Sequence, residues 1–260
     1  MIPLEDRGFT LGDGVFETVL ADSGRLVCFG KHLARMAEGA VALGLPPPQA
    51  SEARSRSTAA LAGAGLDQAR AAVRLAWTAG SGGRGLDRPE RSHPRLTVSC
   101  APAIAARGPA RLYLSSVRRN EGSPASRHKT LAYLDNVLAR REARAAGADE
   151  AIMLNNAGAL ACCAAANLFW VQGGRLFTPA LNCGVLAGLV RAQVLNCAAV
   201  LGVSFDEVVA APEALAAADA VFITNSLIGV RFAEHPLTAE GEELVRALAD
   251  AVEALRSSCR

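Results

Sequence analysis

The sequence predicts an α/β (α+β) protein of two domains: a small N-terminal α+β domain over residues 1–117 and a larger C-terminal domain over 127–260, joined by a linker at 118–126. Three observations predict it. Early in the chain, two stretches with apolar residues at helical spacing give way to short alternating runs. The segment "RRNEGSPAS" (118–126) alone has linker chemistry, charged and then rich in Gly, Ser and Pro with little to bury. Beyond it, helix-like and strand-like segments alternate to the C-terminus, and 51% hydrophobic residues in a chain of 260 is ample for buried cores.

The elements follow in order. After a short lead, "HLARMAEGAVALGL" (32–45) and "ARSRSTAALAGAG" (53–65) read as helices, the second stopped by Gly. "AAVRLAWTA" (71–79), "PRLTVSCAPA" (94–103) and "RLYLSSV" (111–117) read as strands between Gly- and Pro-rich loops and complete the small domain. "TLAYLDNVLARREARAAG" (130–147) is a strongly amphipathic helix ending at Gly147, followed by the strand "EAIMLN". "NLFWVQGGRLFTP" (167–179) reads as two strands about a Gly-Gly turn, "GLVRAQVLNCAAVLG" as a helix, "AVFITNSL" (220–227) as a buried strand leading into a loop, and about 238–257 as a closing helix.

Composition narrows the function classes. Formal net charge is +2 with arginines scattered among acids, so there is no electrostatic footprint for nucleic acid or an anionic membrane, and small soluble partners are the default. The start, "MIPLEDRG", lacks a secretion signal, and "AGALACCAAANLFWV" is too short and too polar at Asn167 to span a bilayer, so a cytoplasmic protein with no membrane span is expected. Seven cysteines without CxxC spacing fit reduced thiols, and neither a zinc site nor a disulfide is expected.

One residue type stands out. Of 27 basic residues only Lys31 and Lys129 are lysine. Arginine supplies charge but stays protonated, whereas a desolvated lysine can lose its proton and attack a carbonyl, which makes Lys129, at the entrance of the 130–147 helix, a candidate for covalent chemistry. A GC-rich coding bias explains the same count, so the neighbourhood has to decide. "GSGGRG" (80–85) matches G-x-G-x-x-G, but it leads into the Pro-broken "LDRPERSHPR" rather than a helix, which excludes a dinucleotide site. In "CGVLAGLVR" (183–191), Gly188 opens an apolar helix whose first N–H groups, at Leu189 and Val190, either meet a phosphate or simply turn the chain. Thr224, Asn225 and Ser226 in "ITNSLIGV" either donate to the same anion or cap a turn. An amine, a helix N-terminus and a hydroxyl-bearing strand end are together the set that pyridoxal phosphate needs, with no metal.

In "DRGFTLGDGVFET", "HLARM", "HKTLAYLDNVLARREARAAGADEAIML", "NLFW", "CGVLAGLVR" and "ITNSLIGVR", taken in this order over nearly the whole chain, the sequence resembles the fold-type IV pyridoxal phosphate enzymes, which include D-amino-acid and branched-chain aminotransferases and 4-amino-4-deoxychorismate lyase. The resemblance implies that Lys129 forms the internal aldimine and then shuttles the substrate proton. It implies that Arg35 binds the cofactor phosphate with the backbone of Leu189 and Val190 and with Ser226, and that Phe16 lines the substrate side. Without the resemblance, Arg35 reads as a solvent-facing helix arginine and Phe16 as a core aromatic.

The sequence departs from the family in three places. Relatives place a glutamate, which pairs with the pyridine nitrogen, five residues before the asparagine of "NLF"; here that position is Cys162, a poor substitute for a carboxylate. Relatives often carry an arginine for substrate carboxylate where this chain has Ala79, so carboxylate recognition is expected to come from elsewhere. The first strand usual in relatives is expected to be missing. "NSLIGVR" and "AAANLFW" look more like the lyases, which implies elimination of pyruvate from aminodeoxychorismate to leave 4-aminobenzoate for folate synthesis, a reaction whose aromatic product offsets a weaker electron sink. The alternatives are a D-amino-acid or branched-chain aminotransferase, or a cofactor-binding homologue with impaired catalysis. The resemblance also implies a homodimer acting on a small amino substrate.

Overall fold

In the computed structural model, which describes residues 2–259, the chain divides at 104/105 rather than at 118–126. Unit 1 takes the residues up to Ile104, His128–Ala132 and Cys259; unit 2 takes Ala105–Arg127 and Tyr133–Ser258. Residues 118–126 do not behave as a linker, because Arg119 is buried and hydrogen-bonded within unit 2.

Unit 1 runs α1 (Arg7–Leu11), β1 (Gly14–Asp22), β2 (Arg25–Leu26), α2 (Phe29–Ala42), α3 (Ala50–Gly63), β3 (Ala71–Thr78) and β4 (Arg95–Pro102). The short lead expected from the sequence is therefore a helical turn and a nine-residue strand. The strands form an antiparallel sheet in the order β2-β1-β3-β4. Period-2 alternation divides β1 between two environments. Val15, Val19 and Ala21 join Val73, Leu75, Trp77 and Leu96 in a core with Phe29, Leu33 and Met36 of α2 and Ala53 and Leu61 of α3. Phe16 and Thr18 lie on the opposite face, in register with Ala76 and Arg74.

A buried carboxylate fastens α2 to this sheet. Glu17 has no exposed surface. Arg35 Nε and Nη2 donate to its two oxygens at 2.7 Å each, and His32 Nδ1 lies 2.7 Å from Oε2. His32 and Arg35 are three residues apart and so share one helical face. Burial alone raises the Glu17 pKa, but the hydrogen bonds from His32 and Arg35 and their charges outweigh it and hold the group at about 2.

The loop at 80–94 leads into no helix, in keeping with the exclusion of a dinucleotide site. Arg7 donates to the carbonyls of Gly85, Leu86 and Asp87, and a Cβ at Gly83 would come within 2.1 Å of the Asp87 carbonyl, so the glycine is required for this close approach.

Unit 2 runs β5 (Leu112–Leu114), α4 (Pro124–Arg127), α5 (Leu134–Ala145), β6 (Glu150–Leu154), β7 (Leu160–Cys163), β8 (Asn167–Gln172), β9 (Arg175–Pro179), α6 (Leu189–Val200), β10 (Phe205–Val208), β11 (Ala220–Asn225), β12 (Gly229–Phe232) and α7 (Ala239–Ser258). The strand expected at 111–117 is shorter and pairs with β6, not with the small domain. One sheet has the order β10-β9-β8-β11-β12 and the other β5-β6-β7. Gly173 and Gly174, both at positive φ, close the β8–β9 hairpin as expected. Helices α6 and α7 bury Val190, Val194, Val245, Leu248 and Val252 against Phe169 and Phe222, whose rings stack at 5.0 Å. No helix among the described residues is long and apolar enough to cross a membrane.

The cysteines correct one expectation. Cys28, at the N-cap of α2, is disulfide-bonded to Cys259, 231 positions later, a separation at which spacing carries no signal; Cys100, Cys162, Cys163, Cys183 and Cys197 are free.

Two predictions follow from unit 1. A carboxylate held at about 2 against an ordinary 4.5 stabilises the fold fully above 4.5 and loses that contribution as pH falls through 2. Wild type should therefore lose on the order of 3 kcal/mol across that window in denaturant titrations. Glu17→Gln should be less stable at neutral pH and lack that part of the acid loss; an unchanged acid slope in the variant refutes the assignment. Closing a long loop restrains the unfolded chain, so reductant or Cys259→Ser should lower Tm by roughly 5–15 °C. Equal melting with and without reductant counts against the bond.

Candidate functional site

Lys129 is not at a helix entrance, since α5 begins only at Leu134. It lies in a segment docked on the edge of β1: Phe16 N–H donates to the Lys129 carbonyl at 2.8 Å, Leu131 N–H donates to the Gly14 carbonyl at 2.9 Å, and Thr130 bridges Val15. Alternation then puts Lys129 on the Phe16 face of the sheet, with Nζ 4.2 Å from the Phe16 ring centroid. The other lysine, Lys31, is exposed on α2. The amine singled out by composition is thus fixed by backbone hydrogen bonds at the middle of unit 1.

Phe16 is 4% exposed, and the Arg74 guanidinium stacks 3.8 Å from its centroid. A cavity of about 1130 Å³ at the β4 edge of the sheet takes in Arg74, Ala76, Thr97, Ser99 and Leu131 but also Arg56, Trp77 and Leu96, and neither Phe16 nor Lys129 lines it. Arg74, alternating with Ala72 and Ala76 along β3, puts a cation on the Phe16 face that the sequence did not single out. Ala79 is fully buried, its N–H donating to the Asp13 carbonyl. Arg35 is not solvent-facing: Glu17 takes two of its N–H groups and fixes the direction of the fork. Glu17 and His32 escaped the sequence reading, although a glutamate inside the apolar run "GVFETVLA" opposite an i, i+3 His/Arg pair was a usable signal.

In unit 2, Gly188 is the N-cap of α6 and no side chain caps the helix, so the first N–H groups, including those of Leu189 and Val190, have no side-chain acceptor. A Cβ at Gly188 would lie 1.9 Å from Asn167 Oδ1, and Asn167 Nδ2 donates to the Leu186 carbonyl, so the helix start is packed directly on the first residue of β8. Thr224 pairs in register with Asn167 and shares its side of the sheet. It is 1% exposed, and its hydroxyl has no hydrogen-bond partner. An uncapped helix N-terminus beside an orphaned buried hydroxyl suits a phosphate. Asn225, by contrast, closes a turn, its Oδ1 accepting from Leu227 and Ile228 N–H and its Nδ2 donating to the Ala165 carbonyl. Ser226 is half-buried beside it, its carbonyl accepting from Arg256.

Amine and phosphate requirements of pyridoxal phosphate are therefore met by residues of this chain. The ring nitrogen requirement is not, because Cys162 is a buried thiol whose pKa burial pushes up, with Arg119 acting the other way and Glu150 adding to the rise.

Comparison with known proteins agrees with this chemistry. The model of the family described as amino-transferase class IV matches residues 14–235. The aminodeoxychorismate lyase of Vibrio harveyi is 30% identical over 235 residues, 88% of this chain and 85% of that one. The D-alanine aminotransferase of Listeria innocua is 27% identical over 282 residues, 95% and 92% of the two chains. The crystal structure of 4-amino-4-deoxychorismate lyase from Pseudomonas aeruginosa superposes with a TM-score of 0.85 at 30% identity, over 98% of this chain and 95% of that one. Lyases and aminotransferases are about equally close to it. The chain belongs to the amino-transferase class IV family of pyridoxal phosphate-dependent enzymes.

Proposed function

We propose that this enzyme is a lyase of the aminodeoxychorismate type, releasing pyruvate from 4-amino-4-deoxychorismate and leaving 4-aminobenzoate. The observation that supports elimination over transamination is Cys162, a neutral thiol where a carboxylate would strengthen the cofactor's ring as an electron sink. When bound, the cofactor withdraws electrons from the carbon that bears the substrate amine. A weakened sink matters least where an aromatic product supplies driving force of its own.

The chain's residues divide the work. With the cofactor bound, Lys129 Nζ would hold its aldehyde; once displaced by the substrate amine, the freed Nζ would take the proton from the amine-bearing carbon and pass it to the departing enolpyruvyl group, which would leave as pyruvate. Phe16 beneath Nζ keeps water from that side of the amine. Arg74, on the same face, offers a guanidinium for a substrate carboxylate. In unit 1, Arg35 is assigned to phosphate and is held for it by Glu17 and His32. In unit 2, Gly188, Leu189 and Val190 supply backbone donors, Thr224 a hydroxyl, and Asn225 and Ser226 the adjoining turn. The active enzyme is read as a homodimer of the 26.9 kDa chain.

A D-amino-acid or branched-chain aminotransferase is the second reading, favoured by the similarity to the Listeria enzyme along almost its whole length. Reconstitution with pyridoxal phosphate separates the two. The lyase should release pyruvate from aminodeoxychorismate with no keto acid added, and borohydride should fix the cofactor to Lys129. Lys129→Ala should lose at least about a hundredfold in rate. Amino-group transfer to an added keto acid without pyruvate release from aminodeoxychorismate would establish the aminotransferase instead.

A further inference from the structure

Arg119, in unit 2, is a buried cation among neutral groups. It is 6% exposed. Its Nε donates to the Gly184 carbonyl at 3.0 Å, Nη1 to Asn136 Oδ1 at 3.1 Å and Nη2 to the Ser126 carbonyl. Among the described residues no carboxylate lies within ion-pair distance of it. A charge taken out of water is ordinarily paired, so carbonyl and amide dipoles alone leave the surroundings of Arg119 electropositive.

Those surroundings include Cys162. Gly184 stands between Cys183 and Val185, which pack with Ala161 and Cys162 in one apolar cluster. The neighbouring carboxylates are already committed. Glu150 accepts from Arg140 at 2.5 Å and from Ala151 N–H at 3.0 Å, and Glu121, whose charge is felt at Cys183, accepts from Asn156 and Ala157 N–H. Cys163, next in the strand, is held as a neutral thiol by burial. No acid is left to give a proton at this spot. The cluster leads towards the phosphate donors: Cys163 N–H donates to the Ala166 carbonyl at 2.8 Å, a tight turn by which the chain passes from Cys162 to Asn167, which is packed on Gly188. In pyridoxal phosphate a single CH2–O arm joins ring and phosphate, so a phosphate at Gly188 keeps the ring near this turn.

Resting on the cofactor reading above, we propose that Cys162 and Arg119 hold the cofactor's ring nitrogen without a proton. The Cys162 S–H donates a weak hydrogen bond to the nitrogen lone pair, and the Arg119 charge behind it opposes protonation. Cys162 touches the cofactor, and Arg119 is a positioning residue that acts through it. The pair sets which reactions the ring can assist, selecting for an elimination whose product is stabilised in its own right.

The test is nitrogen-15 NMR of the holoenzyme loaded with pyridoxal phosphate labelled at the ring nitrogen, after borohydride has confirmed attachment to Lys129. Wild type should give the chemical shift of the unprotonated ring across neutral pH. Cys162→Ser, which keeps a neutral donor, should give the same shift, and Cys162→Glu should move it to the protonated position. A protonated wild-type ring overturns the proposal, and so does a Cys162→Glu holoenzyme whose ring stays unprotonated. If Cys162→Glu does not fold, wild type and Cys162→Ser still decide. Failure of borohydride to fix any cofactor on Lys129 overturns this inference together with the proposed function, whereas attachment with a protonated ring overturns this inference alone.

Discussion

The arrangement of unit 1 depends on the buried carboxylate of Glu17. A fully desolvated anion is tolerated only if its oxygens are met by cationic donors, and His32 and Arg35 meet them from one face of α2. This pairing fixes more than stability. It sets the rotation of α2 about its axis, because only one helical face can present both side chains to β1, and it fixes the Arg35 fork, because a bidentate contact allows a narrow range of orientations. Apolar packing of Leu33 and Met36 presses the helix onto the sheet without dictating that rotation so sharply.

Strand alternation then separates structure from chemistry. On β1, Val15, Glu17 and Val19 face the helices, while Phe16 faces the other way with Arg74 and Lys129. A one-residue slip of β1 would exchange the two sets and bury Phe16 where the ion network belongs. The eight-pair register with β3 and the bridge to Thr130 hold against that slip. The Lys129 backbone is thus held by a ladder on β1 and not by a helix of its own, which would suit the proposed role of its amine, where small displacements matter.

Much of this was legible in the sequence, and the rest failed for identifiable reasons. Long periodic segments such as α2, α6 and α7 and the Gly-Gly hairpin were readable because their signals are local. β1 was missed because turn-forming residues, "DRGFTLGDG", precede it and its strand has no polar face to show alternation. Residues 118–126 looked like a linker because charged residues there are followed by Gly, Ser and Pro, and Arg119, which is buried with Ser126, is of a solvent-seeking type. Lys129 was identified from its rarity, but its placement on β1 depends on a pairing between residues more than a hundred positions apart, for which spacing gives no clue. Thr224 looked like one of three interchangeable polar residues; only the fold shows that Asn225 is committed to a turn while the Thr224 hydroxyl is left without a partner.

Two of the buried charges of this molecule, Glu17 in unit 1 and Arg119 in unit 2, have opposite surroundings. Glu17 is an anion met by two cationic side chains, and its ionised form is held down to strongly acid pH. Arg119 is a cation met by carbonyl and amide dipoles, and its field reaches the Cys162 thiol. A carboxylate at position 162 would have closed that field locally and offered a proton to whatever lay beyond it. A thiol does neither: it leaves the field open and keeps its own proton at neutral pH. The exchange of one side chain therefore reverses the acid–base character of that spot without disturbing the guanidinium's three hydrogen bonds, which all go to groups other than Cys162.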